Sequence, residues 1–169
     1  MSDSKNICLS CGFCCDGTVI GFVQIGREEL PVLKELIEIE NTNGEGVFLQ
    51  PCTNYNFCEG CSIYSRRPKQ CANFKCGLLI SQEQEELDFD SAIEIIEVVK
   101  QKKLALEKKL AMLPLELKSK SFYFKMAELK NMLQKNKLES SFTQSQQDLM
   151  ADLEELNSLL SNKFGVSIF

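Results

Sequence analysis

Nine of the 169 residues are cysteine, none is histidine, and every cysteine lies before position 77. Cys8, Cys11, Cys14 and Cys15 form a C-x2-C-x2-C-C run, while Cys52, Cys58, Cys61, Cys71 and Cys76 crowd a second segment. Thiolates are soft ligands, and few chemistries other than metal binding need so many sulfurs at such short spacing. Cys8-Leu9-Ser10-Cys11-Gly12 has the form of a metal knuckle. Two sulfurs three residues apart reach one centre, and Gly12 takes a positive φ at low cost, which lets backbone N–H groups turn toward the sulfurs. Cys58-Glu59-Gly60-Cys61 repeats the C-x2-C spacing.

Nine thiols exceed the four ligands of a mononuclear zinc site, so a cluster, a pair of centres or spare cysteines must be admitted. Cys14 and Cys15 are adjacent and their side chains diverge, so one serves a different centre from the other or stays free. Cys8, Cys11 and Cys14 reproduce the C-x2-C-x2-C run of bacterial ferredoxins, without the fourth cysteine and proline that complete it there. Phe13, Val19, Phe22 and Phe57 suit the dry shell of a cluster, or the ordinary core of a zinc fold. An all-sulfur donor set serves both zinc and an iron–sulfur cluster. The residues leave both open, with the ferredoxin-like run favouring iron–sulfur.

Several classes are disfavoured. A formal charge of −5, from 24 acidic and 19 basic residues, offers no positive field for nucleic acid. Without histidine there is no Cys–His nucleophile pair and no imidazole base. Gly12, Gly17, Gly21 and Gly26 do not form a dinucleotide fingerprint. The lack of any run of about 18 apolar residues argues against a membrane span. The polar start Met1-Ser2-Asp3-Ser4-Lys5 has no signal-peptide core, which points to the reducing cytoplasm. An odd cysteine count also fits poorly with a full disulfide framework.

The second segment contains Cys61-Ser62-Ile63-Tyr64-Ser65-Arg66-Arg67-Pro68-Lys69-Gln70-Cys71. With the C-x2-C-x2-C-C run before it, this resembles the YkgJ-type cysteine-cluster family of bacteria and archaea, over residues 8–76. The resemblance implies a zinc- or iron-chelating module of a kind often labelled an iron–sulfur oxidoreductase. It also implies an association with flagellin lysine methylation, where a related module occurs. It carries over Cys8, Cys11, Cys14, Cys15, Cys52, Cys61 and Cys71 as metal ligands; Cys58 departs from the family pattern and Cys76 matches less closely. Tyr64, Arg67 and Pro68 lie inside the second motif. Arg67 either donates to a thiolate or a carbonyl beside it, or pins the loop through backbone carbonyls. Tyr64 reads as a packing residue with a hydrogen-bonded hydroxyl, and Pro68 fixes the turn into Cys71.

The elements that must position these groups divide at about Ser81. Residues 1–80 read as a small α+β or irregular cysteine-rich module; residues 81–169 read as a helical bundle or hairpin packed on it, making the chain mainly α. Thr18–Ile25 is β-branched and aromatic and predicts a strand. Arg27–Glu40 spaces Leu30, Leu33, Leu36, Ile37 and Ile39 for a helix, with Pro31 in its first turn. Residues 41–46 are turn-rich, and Val47–Leu49 predicts a short strand.

Ser91 and Glu94 form a capping box at the start of a helix striped by Ala92, Ile96, Val99, Lys103, Leu106, Leu110 and Leu113, with only Lys103 polar, which Pro114 ends or kinks. A second helix is expected over 115–134, with Phe122, Met126, Leu129 and Leu133 on one stripe. A third is expected after the Thr143/Gln146 capping box, carrying Leu149, Leu153, Leu156 and Leu160 to Gly165. The acidic run Glu83 to Asp90 reads as a solvated helix start. The stripes read first as core, and second as a surface for a protein partner, including a coiled-coil dimer through 92–113.

Overall fold

The structure, a computed structural model, describes residues 6–42, 44–138 and 143–169. About 54% of the described residues are helical, so the chain is mainly α. Two compact units form: residues 1–75 with 120–123, and residues 76–119 with 124–169.

The first unit begins with the one-turn helix α1 (Ile7–Cys11), capped by the Asn6 side chain, which accepts from Cys8 N at 2.9 Å. Gly12 ends it in the left-handed region at φ 72°, returning its N–H to Cys8 O at 3.1 Å. A three-stranded antiparallel sheet follows in the order β1-β3-β2, from β1 (Phe22–Ile25), β2 (Glu40–Thr42) and β3 (Glu45–Leu49). The strand expected over 18–25 shortens to β1. Thr18 N and Val19 N both donate to Phe13 O, at 2.9 and 3.0 Å, and close a turn instead.

The helix expected over 27–40 shrinks to α2 (Leu30–Leu33). Its apolar spacing survives as a turn, because Ile37 N donates to Leu33 O at 2.8 Å and both side chains are buried. Residues 40–42 leave the helical path to pair with β3, Glu40 opposite Val47 and Thr42 opposite Glu45. This polar edge strand has no hydrophobic alternation, so its pairing is set by the hairpin rather than by burial. Asn43, in the expected turn, lies outside the described residues.

Val23, Ile25, Leu33, Ile37, Phe48 and Ile63 form the core of this unit, and Cys52, Cys61 and Cys71 pack against it. The rest of the second cysteine segment is a two-residue hairpin of β4 (Tyr55–Asn56) and β5 (Gly60–Cys61), a 3-10 turn at Tyr64–Arg66, and α3 (Lys69–Asn73). α3 packs on β1, where Gln24 N donates to the Gln70 side chain at 2.6 Å.

The second unit contains α4 (Gly77–Glu83), α5 (Phe89–Ala111), α7 (Gln144–Phe164) and all but the first two residues of α6 (Phe122–Leu138). α5 and α7 pack together, and the ion pairs Lys102–Glu155 and Lys109–Asp152 run in opposite chain order, so the two are antiparallel. Of the expected stripe of α5, Ala92, Ile96, Val99 and Leu106 are fully buried, Lys103 and Leu110 are half-buried, and Leu113 lies beyond the helix end; Leu149, Leu153, Leu156 and Leu160 of α7 are fully buried. α5 starts earlier than expected. Its cap is Asp88, whose carboxylate accepts from Ser91 N at 2.8 Å and Ser91 Oγ at 2.9 Å, so Ser91 donates within the first turn. The capping box of α7 forms as expected, with Thr143 and Gln146 bonded reciprocally at 3.3 and 3.1 Å.

α6 begins at Phe122, not 115. Lys118 N and Ser119 N both donate to the Glu128 carboxylate, at 3.0 Å each, and the segment before it stays extended. Leu113, Leu115, Leu117 and Ser119 are half-buried while their neighbours are exposed, a period of two rather than of a helix.

Candidate metal centre

Gly12 turns the chain out of α1 and into a tight loop carrying Cys14 and Cys15. Cys15 N and Asp16 N both donate to Gly12 O at 2.9 Å. Cys15 O in turn accepts from Cys52 N at 2.8 Å, which ties the first cysteine segment to the second. Cys61 enters on β5 opposite Tyr55, and Cys71 enters on α3.

Four elements thus deliver Cys15, Cys52, Cys61 and Cys71 to one neighbourhood, and their electrostatics record it. Burial pushes the Cys15 thiol up to about 12, with Cys61, Cys52, Cys71 and Asp16 adding to the rise. Burial pushes Cys71 up to about 11, reinforced by Cys52 and Cys61 and opposed by Arg67. Cys52 is raised as well, first by burial and then by Cys61, against a lowering backbone bond from Asn54. The bare thiolates of Cys15, Cys52 and Cys71 are penalised here by desolvation and by their neighbours. A cation among them reverses both penalties, so the donor set suits a soft, thiophilic metal. Among the described residues, no three cysteine or carboxylate side chains already stand in a geometry that would hold an ion.

The other candidates lie on other elements. Cys8 and Cys11 are half-buried on α1, and Cys14 is half-buried in the loop after it. Cys58 is exposed in the β4–β5 turn, its N–H held by Asn56 Oδ1 at 2.8 Å. Cys76 caps α4 in the second unit. Its thiol is raised chiefly by burial, and the backbone amides of Leu79, Leu78 and Cys76 lower it. Of the expected dry shell, Phe13 and Val19 are buried, but Phe22 is 40% and Phe57 75% exposed. Phe22 faces outward because β1 alternates, sending Val23 and Ile25 into the core.

Arg67 stacks on the Tyr64 ring, 3.9 Å from its centroid, and its charge favours the Cys71 thiolate. Tyr64 Oη accepts from Asn6 Nδ2 at 2.5 Å, so the second motif also holds the residue that caps α1. Lys69 N donates to Glu29 at 2.8 Å, anchoring the start of α3.

One residue of the site escaped sequence reasoning. The Tyr55 hydroxyl lies on the backbone of Gly12, where a Cβ would overlap it. Burial raises its phenol to about 12, with Asp16, Cys15 and Cys11 adding to the rise. A lone tyrosine between Asn54 and Asn56 carries no spacing signal that would have marked it.

Residues 7–102 match the family model CxxCxxCC, described as "Putative zinc- or iron-chelating domain". No curated protein and no solved structure matches the chain.

Proposed function

Because the chain belongs to the CxxCxxCC family, described as zinc- or iron-chelating, we propose that its first unit binds an iron–sulfur cluster or zinc through Cys15, Cys52, Cys61 and Cys71. The observation that carries this is the meeting of four half-buried cysteines from distant segments: Cys52 N donates to Cys15 O at 2.8 Å, and Cys52, Cys61 and Cys71 pack against one core. Cys8, Cys11 and Cys14 stand next to the quartet in sequence and form the reserve from which a second centre, or the remaining ligands of a cluster, would be drawn. Cys58 and Cys76 lie outside the ligand set. Arg67 offsets thiolate charge at Cys71 while Tyr64 fixes its plane.

Seven thiols in reach of one small unit exceed the need of a single structural zinc, which supports an iron–sulfur centre working in electron transfer or redox sensing. Purification without oxygen, followed by metal analysis and a visible spectrum, tests this. Stoichiometric iron with a broad visible absorption is the expected result. Absence of both iron and zinc in stoichiometric amount refutes metal binding.

One observation favours a second reading, a zinc-stabilised protein-interaction module. β4 and β5 have two residues each and α2 has four, too little regular structure to hold this unit without a staple. The exposed apolar side chains Val98, Leu104 and Met112 of α5 and its end would then serve a protein partner. That reading expects a colourless protein containing zinc.

A further inference from the structure

Tyr55 touches both cysteine segments. Its N–H donates to Cys52 O at 3.1 Å, and it pairs with Cys61 across the β4–β5 hairpin. Its side chain reaches over to α1 and rests on Gly12, the residue after Cys11, with its ring carbons also inside the space a Cβ would take. Asp16, Cys15 and Cys11 all act on the phenol electrostatically. Among the described residues its hydroxyl has no hydrogen-bond partner, so its proton is uncommitted.

We propose that Tyr55 is a positioning residue of the metal centre, whose hydroxyl donates a hydrogen bond to the Cys15 thiolate when metal is bound. This rests on the thiolate centre proposed above. The hydroxyl rests on Gly12, whose carbonyl accepts from Cys15 N at 2.9 Å, and a phenol carries its proton at neutral pH, so it acts as a donor to the sulfurs that flank this turn. A hydrogen bond to a ligating sulfur withdraws electron density from it. The bound thiolate becomes less nucleophilic, and in an iron centre the reduction potential rises. Asp16 is the competing acceptor: one of its oxygens accepts from Thr18 N at 2.9 Å, and coupling of the hydroxyl proton to a bound metal separates the two acceptors.

The test uses the full chain loaded with cobalt(II), whose sulfur-to-metal charge-transfer band reports on the thiolates. Tyr55→Phe keeps the ring that fills the space at Gly12 and removes only the hydroxyl. It should move that band to lower energy and speed iodoacetamide alkylation of the bound thiolates roughly three- to tenfold, the range expected for one lost hydrogen bond. Cobalt stoichiometry should not change. An unchanged band and alkylation rate in fully loaded Tyr55→Phe overturn the role of Tyr55. A measurement on the unsubstituted protein covers the case of a variant that does not fold. Loaded with an NMR-active cadmium isotope, it should show the Tyr55 hydroxyl proton coupled to the metal, and free exchange of that proton with solvent overturns the proposal. If the unsubstituted chain takes up neither cobalt nor cadmium, the metal centre itself is refuted.

Discussion

At the scale of single residues, the quartet ranks the cysteines in a way that spacing does not. Cys15→Ala removes a thiol that faces three others, so it should abolish stoichiometric metal and lower the melting temperature of the protein as isolated. Cys58→Ala, on the exposed hairpin turn, should leave both metal content and melting temperature near those of the unsubstituted protein. Equal loss in the two variants would refute the ranking. Cys14 and Cys15 illustrate why the sequence left this open. Adjacent residues diverge, and it is Cys15 whose carbonyl accepts from Cys52 N, a contact that spacing does not announce. Gly12 was legible, because a positive φ after a C-x2-C is a local requirement. Tyr55 was not, because its importance comes from a contact 43 positions away in the chain, a separation no local pattern reports.

Proton linkage belongs to the same scale. In the metal-free protein Cys15 and Cys71 titrate at about 12 and 11, above the ordinary 9.0, so the folded chain holds these protons more tightly than the unfolded one. Their contribution to stability is complete below the unfolded value and is lost as the pH rises through the folded values. Urea melts of the metal-free protein should therefore show stability falling from about pH 9 to about pH 12. Bound metal displaces the protons and should flatten that fall. A metal-free protein equally stable across this window would contradict the burial of the two thiols.

At the scale of elements, the C-terminal helices were the easier part to read. Their caps and stripes repeat over many residues, and a capping box such as Thr143/Gln146 is a local signal that tertiary structure has little reason to override. Thr143→Ala should cost about 1 kcal/mol, as a shift in the urea midpoint at constant slope. Leu153→Ala, at a fully buried position of α7, should cost about 2–5 kcal/mol. If the two variants had equal effects, the assignment of one to a surface cap and the other to the core would be wrong. The short elements of the first unit were harder to read. Leu30, Leu33, Leu36 and Ile37 bury an apolar face as a helix would, but one turn and a bend serve the same burial, and β3 recruits residues 40–42. The extended stretch before α6 was written in the alternation of Leu113, Leu115 and Leu117, which the leucine-rich composition masked.

At the scale of the whole molecule, no described helix is long and apolar enough to cross a membrane, and the two units differ in what holds them. The second has long helices with fully buried leucines; the first has a modest core edged by cysteines. A strong chelator should therefore collapse the tyrosine environment of the first unit, seen by near-ultraviolet circular dichroism, while most far-ultraviolet helical signal persists. Simultaneous loss of both signals would show that the units melt as one.

The first unit is also not continuous in the chain. Residues 120–123 belong to it: Tyr123 N donates to Gly17 O at 2.7 Å, and Ser121 Cβ and Phe122 N stand 3.0 and 3.3 Å from the place a Cβ would take on Gly17. Gln50 Cβ also stands 3.0 Å from that place, so this short strap lies beside Gly17, two residues after Cys15, and Gly17 in turn abuts Gln50, two residues before Cys52. During synthesis, the eight cysteines of this unit leave the ribosome well before its last piece does. The thiols therefore pass through an interval in which they are complete in number but not yet in enclosure, and metal acquired then meets a more open site than metal acquired later. A fragment ending near residue 81 would be held in that interval permanently. Metal should exchange from it faster than from the full chain, and a radioactive zinc chase would measure the difference.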